Sequence, residues 1–261
     1  MSHCINYKNI NVHYTDQGKG RAIVLLHGFL GDLSMWNNLA DQLSKKNRVI
    51  AIDLLGHGKS GSFDKINTME AMADAVHSVI RHLKLRRFIL LGHSMGGYVG
   101  LAFAEKFPEQ LLGLGLLNTT ALADTTEKKK NRNRAIEAVK ENNKVFIRLT
   151  IPNLFSEKNK IIFKKEIDDL INSALLMQPE SIIAALKGMQ SRVDRCHVLR
   201  NESYKKLLII GLNDPILNYQ SFKLQTKKTN VDTVEISGGH MSYIENIEEF
   251  TYNIMHFIEK L

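Results

Sequence analysis

The sequence predicts an α/β protein in which a mostly parallel central sheet is flanked by helices and interrupted once by a helical insertion. Two observations carry this prediction. Short apolar runs of strand length alternate with amphipathic stretches of helical period along most of the 261 residues, the pattern of strands joined by crossover helices. The alternation then stops between the apolar runs 111–117 and 207–210, a gap of about ninety residues that is far too long for a structureless loop in a compact domain.

The elements follow in order. Residues 5–16 alternate polar and apolar side chains around Asn9 and predict a hairpin. Residues 22–26 form an apolar run, a strand buried on both faces, that ends in His27-Gly28-Phe29. A helix over 36–46 leads to a strand over 49–52, which closes in Asp53-Leu54-Leu55-Gly56-His57-Gly58. Residues 67–83 place Met72, Val76, Val79, Ile80 and Leu83 on one helical face, with Asn67 or Thr68 as cap. The strand 88–91 runs into Gly92-His93-Ser94-Met95-Gly96-Gly97 and then a helix over 98–107 that Pro108 stops. In the gap, helical periods cover 127–140, 143–149, 156–177 and 179–189. The strands 207–210 and 232–236, a loop at Gly238-Gly239-His240 and a helix over 245–261 complete the chain. The expected core is therefore 1–120 with 204–261, and the expected cap is 121–203.

Composition narrows the function classes. A hydrophobic content of 44% with 24% charged residues is ordinary for a globular protein. No run approaches the roughly 18 consecutive apolar residues of a membrane span. Residues 1–20 are polar where a secretory signal would be apolar, so a cytoplasmic chain is expected. Cys4 and Cys196 share no ligand spacing with histidines and read as free thiols, with no metal site. The net charge is +8, and residues 121–206 hold 18 Lys and Arg against 11 Asp and Glu. These cations are interleaved with acids and lack stacking aromatics, which favours a solvated helical surface over a nucleic-acid interface and leaves a weak preference for anionic substrates. Monomer and homodimer are both compatible with the sequence.

The chemistry concentrates at strand ends. Gly92-His93-Ser94-Met95-Gly96 fits the G-x-S-x-G elbow, with an apolar strand before it and a helix after it. The elbow holds a serine in a strained turn, so the residues two positions to either side must be glycine. Gly58-Lys59-Ser60-Gly61 is a decoy that lacks the second glycine. A serine hydroxyl needs a base. His240 follows a strand and two glycines, whereas His256 falls inside a helix. His27, His57 and His93 sit in strand-end turns suited to bracing loops, and His77, His82 and His197 read as helix-surface or cap residues without a partner. The orienting acid belongs between serine and histidine at a strand's carboxyl end, and Asp214, just past the run 207–210, meets both demands. Asp124, Asp168, Asp169 and Asp194 fall in the cap, and Asp232 opens a strand at the wrong edge. Two backbone amides, Phe29 N–H and Met95 N–H, are the candidate oxyanion donors. Leu30, Phe146, Ile216 and Met241 are the candidate pocket residues, with Phe155 and Phe163 as further possible wall residues.

With these motifs in place, the sequence resembles the α/β-hydrolase superfamily over nearly the whole chain outside the cap. His27-Gly28-Phe29 resembles its oxyanion turn, Asp53 to Ser60 its D-x-x-G-x-G-x-S turn, Gly92 to Gly97 its elbow, and Gly211 to Pro215 with Gly239-His240 its acid and histidine turns. The resemblance implies an α/β-hydrolase fold of the serine-nucleophile branch with a helical cap, similar to carboxylesterases and enol-lactonases. Relatives with epoxide-hydrolase or dehalogenase chemistry carry aspartate at the position of Ser94, which disfavours those activities. The expected activity is hydrolysis of a small carboxylic ester through an acyl-enzyme, with no cofactor. Lactone, thioester or carbon–carbon bond cleavage by the same triad is the alternative, and a non-catalytic ligand receptor is the alternative of another class.

Overall fold

The computed structural model describes residues 2–63, 65–201 and 203–261. Met1, Asp64 and Glu202, which fall within the expected core and cap segments, lie outside the described residues. β1 (Ser2–Tyr7) and β2 (Ile10–Gly18) form the hairpin anticipated around Asn9. Lys8 and Asn9 carry its turn at φ 51° and 63°, the mirror-image geometry whose twist suits paired strands. Then come β3 (Arg21–Leu26), a 3-10 turn (Leu33–Trp36), α1 (Asn37–Leu43), β4 (Asn47–Ile52), α2 (Met69–His82), β5 (Phe88–His93), α3 (Met95–Lys106) and β6 (Leu111–Leu117). The connection from β6 to β7 (Lys205–Gly211) carries α4 (Thr126–Thr150), α5 (Asn159–Ile162), α6 (Lys164–Ala174) and α7 (Pro179–Ser191). The chain ends with α8 (Tyr219–Thr226), β8 (Val231–Ile236), α9 (Ser242–Glu245) and α10 (Ile247–Glu259).

The strands join in one sheet of order β1-β2-β4-β3-β5-β6-β7-β8. β2 is antiparallel to β1 and β4, and the remaining pairs are parallel. Side-chain alternation divides the core between two faces. Val24, Leu26, Leu90 and Leu114 pack with α2 and α3 on one side; Ile23, Leu25, Ile89 and Leu91 pack with α1 and α10 on the other. Parallel strands all end at one edge, so the loops after β3, β5, β7 and β8 gather there. No described helix is long and apolar enough to cross a membrane.

Three helices differ from the sequence reading. The expected helix over 156–177 is two, broken at Phe163 (φ −100°, ψ 30°). The closing helix is likewise divided at Asn246 (φ −143°, ψ 49°), because Glu245 turns inward to bond the loop before it. The expected helix over 36–46 is shorter and opens with the 3-10 turn, where the Asp32 side chain accepts the Ser34 N–H. Asn142 (φ −158°, ψ 94°) interrupts α4 at the gap anticipated between 140 and 143. Thr68, rather than Asn67, caps α2. Asn67 instead ties the β4 loop, donating to Leu55 O and Ser62 Oγ.

Asp53, at the end of β4, organises that loop. Its carboxyl accepts from Leu33 N–H (2.8 Å) and Lys59 N–H (2.9 Å) and meets His13 Nδ1 at 2.7 Å. Ser60 of the decoy motif donates to Asp53 O and accepts from His13 N–H, so its job is architectural. Leaving several buried donors unpaired costs on the order of 1–3 kcal/mol each before relaxation. Asp53→Ala is therefore expected to lower the unfolding free energy by about 3 kcal/mol or more, read from urea titrations of both proteins.

Candidate active site

The elbow is built as its motif demands. Ser94 sits at φ 50°, ψ −114° between β5 and α3, a conformation that costs a non-glycine residue about 1–3 kcal/mol. A Cβ on Gly92 would come within 2.3 Å of Gly96 O, and one on Gly96 within 2.3 Å of Leu26 O. Any side chain at either position collides with backbone. The turn is held by Ser94 N–H to Leu117 O (2.9 Å) and by Thr119 Oγ1 donating to Ser94 O (2.7 Å).

His240 and Asp214 reach Ser94 from two other loops of the same edge. With its proton on Nδ1, His240 donates to Asp214 Oδ2 (2.8 Å) and accepts from the Ser94 hydroxyl at Nε2 (2.8 Å). The side chains of His240 and Asp214 are 3% and 1% exposed, so the pair is shielded while Ser94 remains half-buried. Burial alone would raise the Asp214 carboxyl. The adjacent His240, by charge and hydrogen bond, and the Ile216 and Leu217 amides outweigh it and hold the group below the usual carboxylate range. Asn118, which the sequence reading passed over, adds an Nδ2–H donor to Asp214 Oδ2 (3.2 Å).

Neither Phe29 N–H nor Met95 N–H has an acceptor among the described residues. The Met95 amide also belongs to the first turn of α3, whose positive end favours developing negative charge. A cavity of about 440 Å³ opens over Ser94 and His240. Leu30, Phe146, Ile216 and Met241 all line it, as do Lys128, Asn131 and Arg132 of α4. Phe155 and Phe163 do not line it: they pack on each other at 6.4 Å, with Phe155 in the core. Among the described residues no group of three His, Cys, Asp or Glu side chains is arranged to hold a metal ion.

The bracing histidines fill the space behind the site. His27 accepts from Leu54 N–H and donates to Gly28 O, and His93 donates to His240 O (3.0 Å). His77 and His197 are not free surface groups: His77 stacks on Phe107 and His197 meets Glu105 at 2.9 Å. Another residue missed in the sequence is Glu245. One of its oxygens accepts from Gly239 N–H (3.0 Å) and Met241 N–H (3.2 Å), on either side of His240. The other accepts from Ser156 N–H and Oγ and from Asn159 Nδ2. His240 N–H itself bonds Leu154 O. Local sequence carries no signal for the bonds to Ser156, Asn159 and Leu154, which lie more than eighty residues from Glu245 and His240.

The comparisons with known proteins agree with this fold. A family model described as the alpha/beta hydrolase fold matches residues 21–136. An esterase from Thermogutta terrifontis, described with malate bound, is 33% identical with a TM-score of 0.92, over 100% of this chain and 98% of that one. The chain belongs to the α/β-hydrolase superfamily. The enol-lactonase of Burkholderia xenovorans LB400 shares the fold at 23% identity and a TM-score of 0.91, over 98% of this chain and 100% of that one. Among curated proteins, the dihydrolipoyllysine-residue acetyltransferase component of an acetoin cleaving system from Pseudomonas putida is 26% identical over 92% of this chain. A fluoroacetate dehalogenase from Burkholderia sp is 34% identical over 44% of it. The chain spans 64% of the length of the first of these and its match 39% of the second.

Two outcomes test the framework. Burial, reinforced by His27 for His57 and by His240 for His93, pushes both imidazoles down to about 3. The unfolded chain takes up these protons near pH 6.5 while the folded one does not, so stability is full above that value and falls as pH drops toward 3. The expected loss below pH 6.5 is about 1.4 kcal/mol per pH unit for each histidine, read as urea midpoints between pH 7 and 5. A flat profile would refute the neutral, buried state. Glu245→Gln places an amide N–H₂ against existing donors. It should lower stability by about 1–3 kcal/mol and reduce kcat more than it changes KM, measured with a chromogenic ester.

Proposed function

We propose that this protein is a serine hydrolase that cleaves small carboxylic esters through an acyl-enzyme intermediate. The observation that carries the reading is the continuous chain of hydrogen bonds from Ser94 through His240 to Asp214 beneath the cavity. His240 removes the hydroxyl proton as Ser94 Oγ attacks the ester carbonyl. The tetrahedral oxyanion is met by the Phe29 and Met95 N–H groups, and each such donor is worth about 3–4 kcal/mol of barrier. His240⁺ then protonates the departing alcohol, and the acyl group stays on Ser94. Water, deprotonated by His240, attacks the acyl-enzyme and releases the acid with Ser94 restored. Asp214 holds the imidazole tautomer and stabilises the imidazolium in both halves.

In this reading residues 121–203 act as a cap over the core. Its support is that Phe146, Leu186 and Met189 face the same cavity as Ser94. A hydroxyl at the elbow supports acyl transfer, because a carboxylate there would instead be set up to displace a leaving group from an alkyl carbon.

Ser94→Ala is expected to reduce kcat on 4-nitrophenyl butyrate by roughly 10⁴-fold or more and to abolish the mass increase from a fluorophosphonate probe. Retained turnover in a folded, contaminant-free S94A preparation would overturn the assignment. A panel of lactones and thioesters in the same assay ranks the bond classes.

A further inference from the structure

The α4 helix turns Lys128, Asn131, Arg132 and Ala135 toward the cavity, at the three- and four-residue spacing of a single face. Two cations in this region share one counter-charge. Arg192 pairs with Asp124 at 2.7 Å, and Arg132 pairs with the same carboxylate, which is fully buried. Arg192 is further fixed over the Tyr98 ring at 4.0 Å and by the Leu122 and Met189 carbonyls. One carboxylate therefore serves two guanidinium groups, and the surroundings keep a positive excess.

Lys128 is the cation left over. Its neighbours Lys129 and Lys130 are exposed, whereas Lys128 is partly buried and lines the cavity. It makes no ion pair among the described residues, and its Nζ reaches only the Ile216 carbonyl at 3.5 Å. Burial, then the nearby Arg192 and Arg132, lowers its pKa, against the pull of Asp124 and Asp214. An ammonium in this position has lost water without gaining a counter-charge. An anion beside it would supply one, and the Asn131 amide and Arg132 guanidinium on the same face offer further N–H donors.

We propose that Lys128 recognises a carboxylate on the substrate, so that the preferred substrates are esters carrying a free carboxylate. This deepens the ester-hydrolase reading and rests on it: the scissile carbonyl lies at Ser94 while the anion lies against α4. The cavity they share is also lined by apolar side chains such as Ala135, Phe146 and Ile216, which suit a hydrocarbon portion of the substrate. The basic excess of residues 121–206 draws such anions toward this side of the molecule.

The test compares matched pairs. 4-Nitrophenyl hemiglutarate against 4-nitrophenyl pentanoate places the charge in the acyl half; 4-acetoxybenzoate against phenyl acetate places it in the leaving group. In one of the two pairs the wild-type enzyme should favour the anionic member in kcat/KM by roughly 10-fold or more, the range of a charge-assisted hydrogen bond. In Lys128→Met this ratio should fall about 10-fold or more, chiefly through KM, and Lys128→Arg should restore much of it. No anionic preference in either pair, or an unchanged ratio in Lys128→Met, overturns the proposal. If folded wild-type protein turns over neither pair, the ester reading fails on its own, and calorimetric binding of glutarate decides for Lys128. Binding lost in K128M and kept in K128R supports the proposal, while equal binding to wild type and K128M, or none to wild type, overturns it.

Discussion

The strained turn at Ser94 is the constraint on which the rest of the site depends. A positive φ at a residue with a side chain is tolerated only where the surroundings over-determine it. Here they do so from three directions. Gly92 and Gly96 let the strand and helix close to backbone contact, Leu117 O receives the Ser94 amide, and Thr119 holds its carbonyl. The same closeness fixes the start of α3 under the hydroxyl. The parallel sheet contributes the common edge at which the acid and histidine loops arrive, and two buried side-chain layers hold that edge still.

Much of this arrangement was legible in the sequence because each motif encodes a local backbone requirement. The elbow needs its glycines, the histidine loop needs a strand before it and a helix after it, and Asp214 needs a strand end. Those are short-range rules, and they brought Ser94, Asp214 and His240 into one chain of hydrogen bonds. What escaped was set by contacts across the fold. Helical periodicity read 156–177 as continuous, yet Phe163 turns to pack on Phe155 and the helix breaks there. Glu245 looked like the first residue of a helix; its carboxyl is engaged by donors from the adjacent histidine loop and from the distant segment at Ser156 and Asn159. Lys128 was one lysine in a basic run, and only the placement of α4 separates it from Lys129 and Lys130.

The polar residues behind the site divide into two kinds of work. Asp53, Asn67 and the buried histidines tie loops to one another, largely through bonds to backbone groups. Asp124 and its two arginines knit the beginning of α4 to the end of α7, bringing buried charge close to a cavity that is otherwise largely apolar. The most buried charges of this basic segment are spent on internal pairs, while Lys128 faces a space sized for a small molecule.

The bonds shared by Glu245 and the Leu154 carbonyl have a consequence for how the protein breathes. Residues 154–159 and 239–241 are joined through the two oxygens of Glu245 and by His240 N–H to Leu154 O, the kind of shared bonding that makes segments open together. A fluctuation that lifts this part of the insertion also releases the backbone around His240. The position of that segment and the alignment of the imidazole are thereby coupled through one carboxylate.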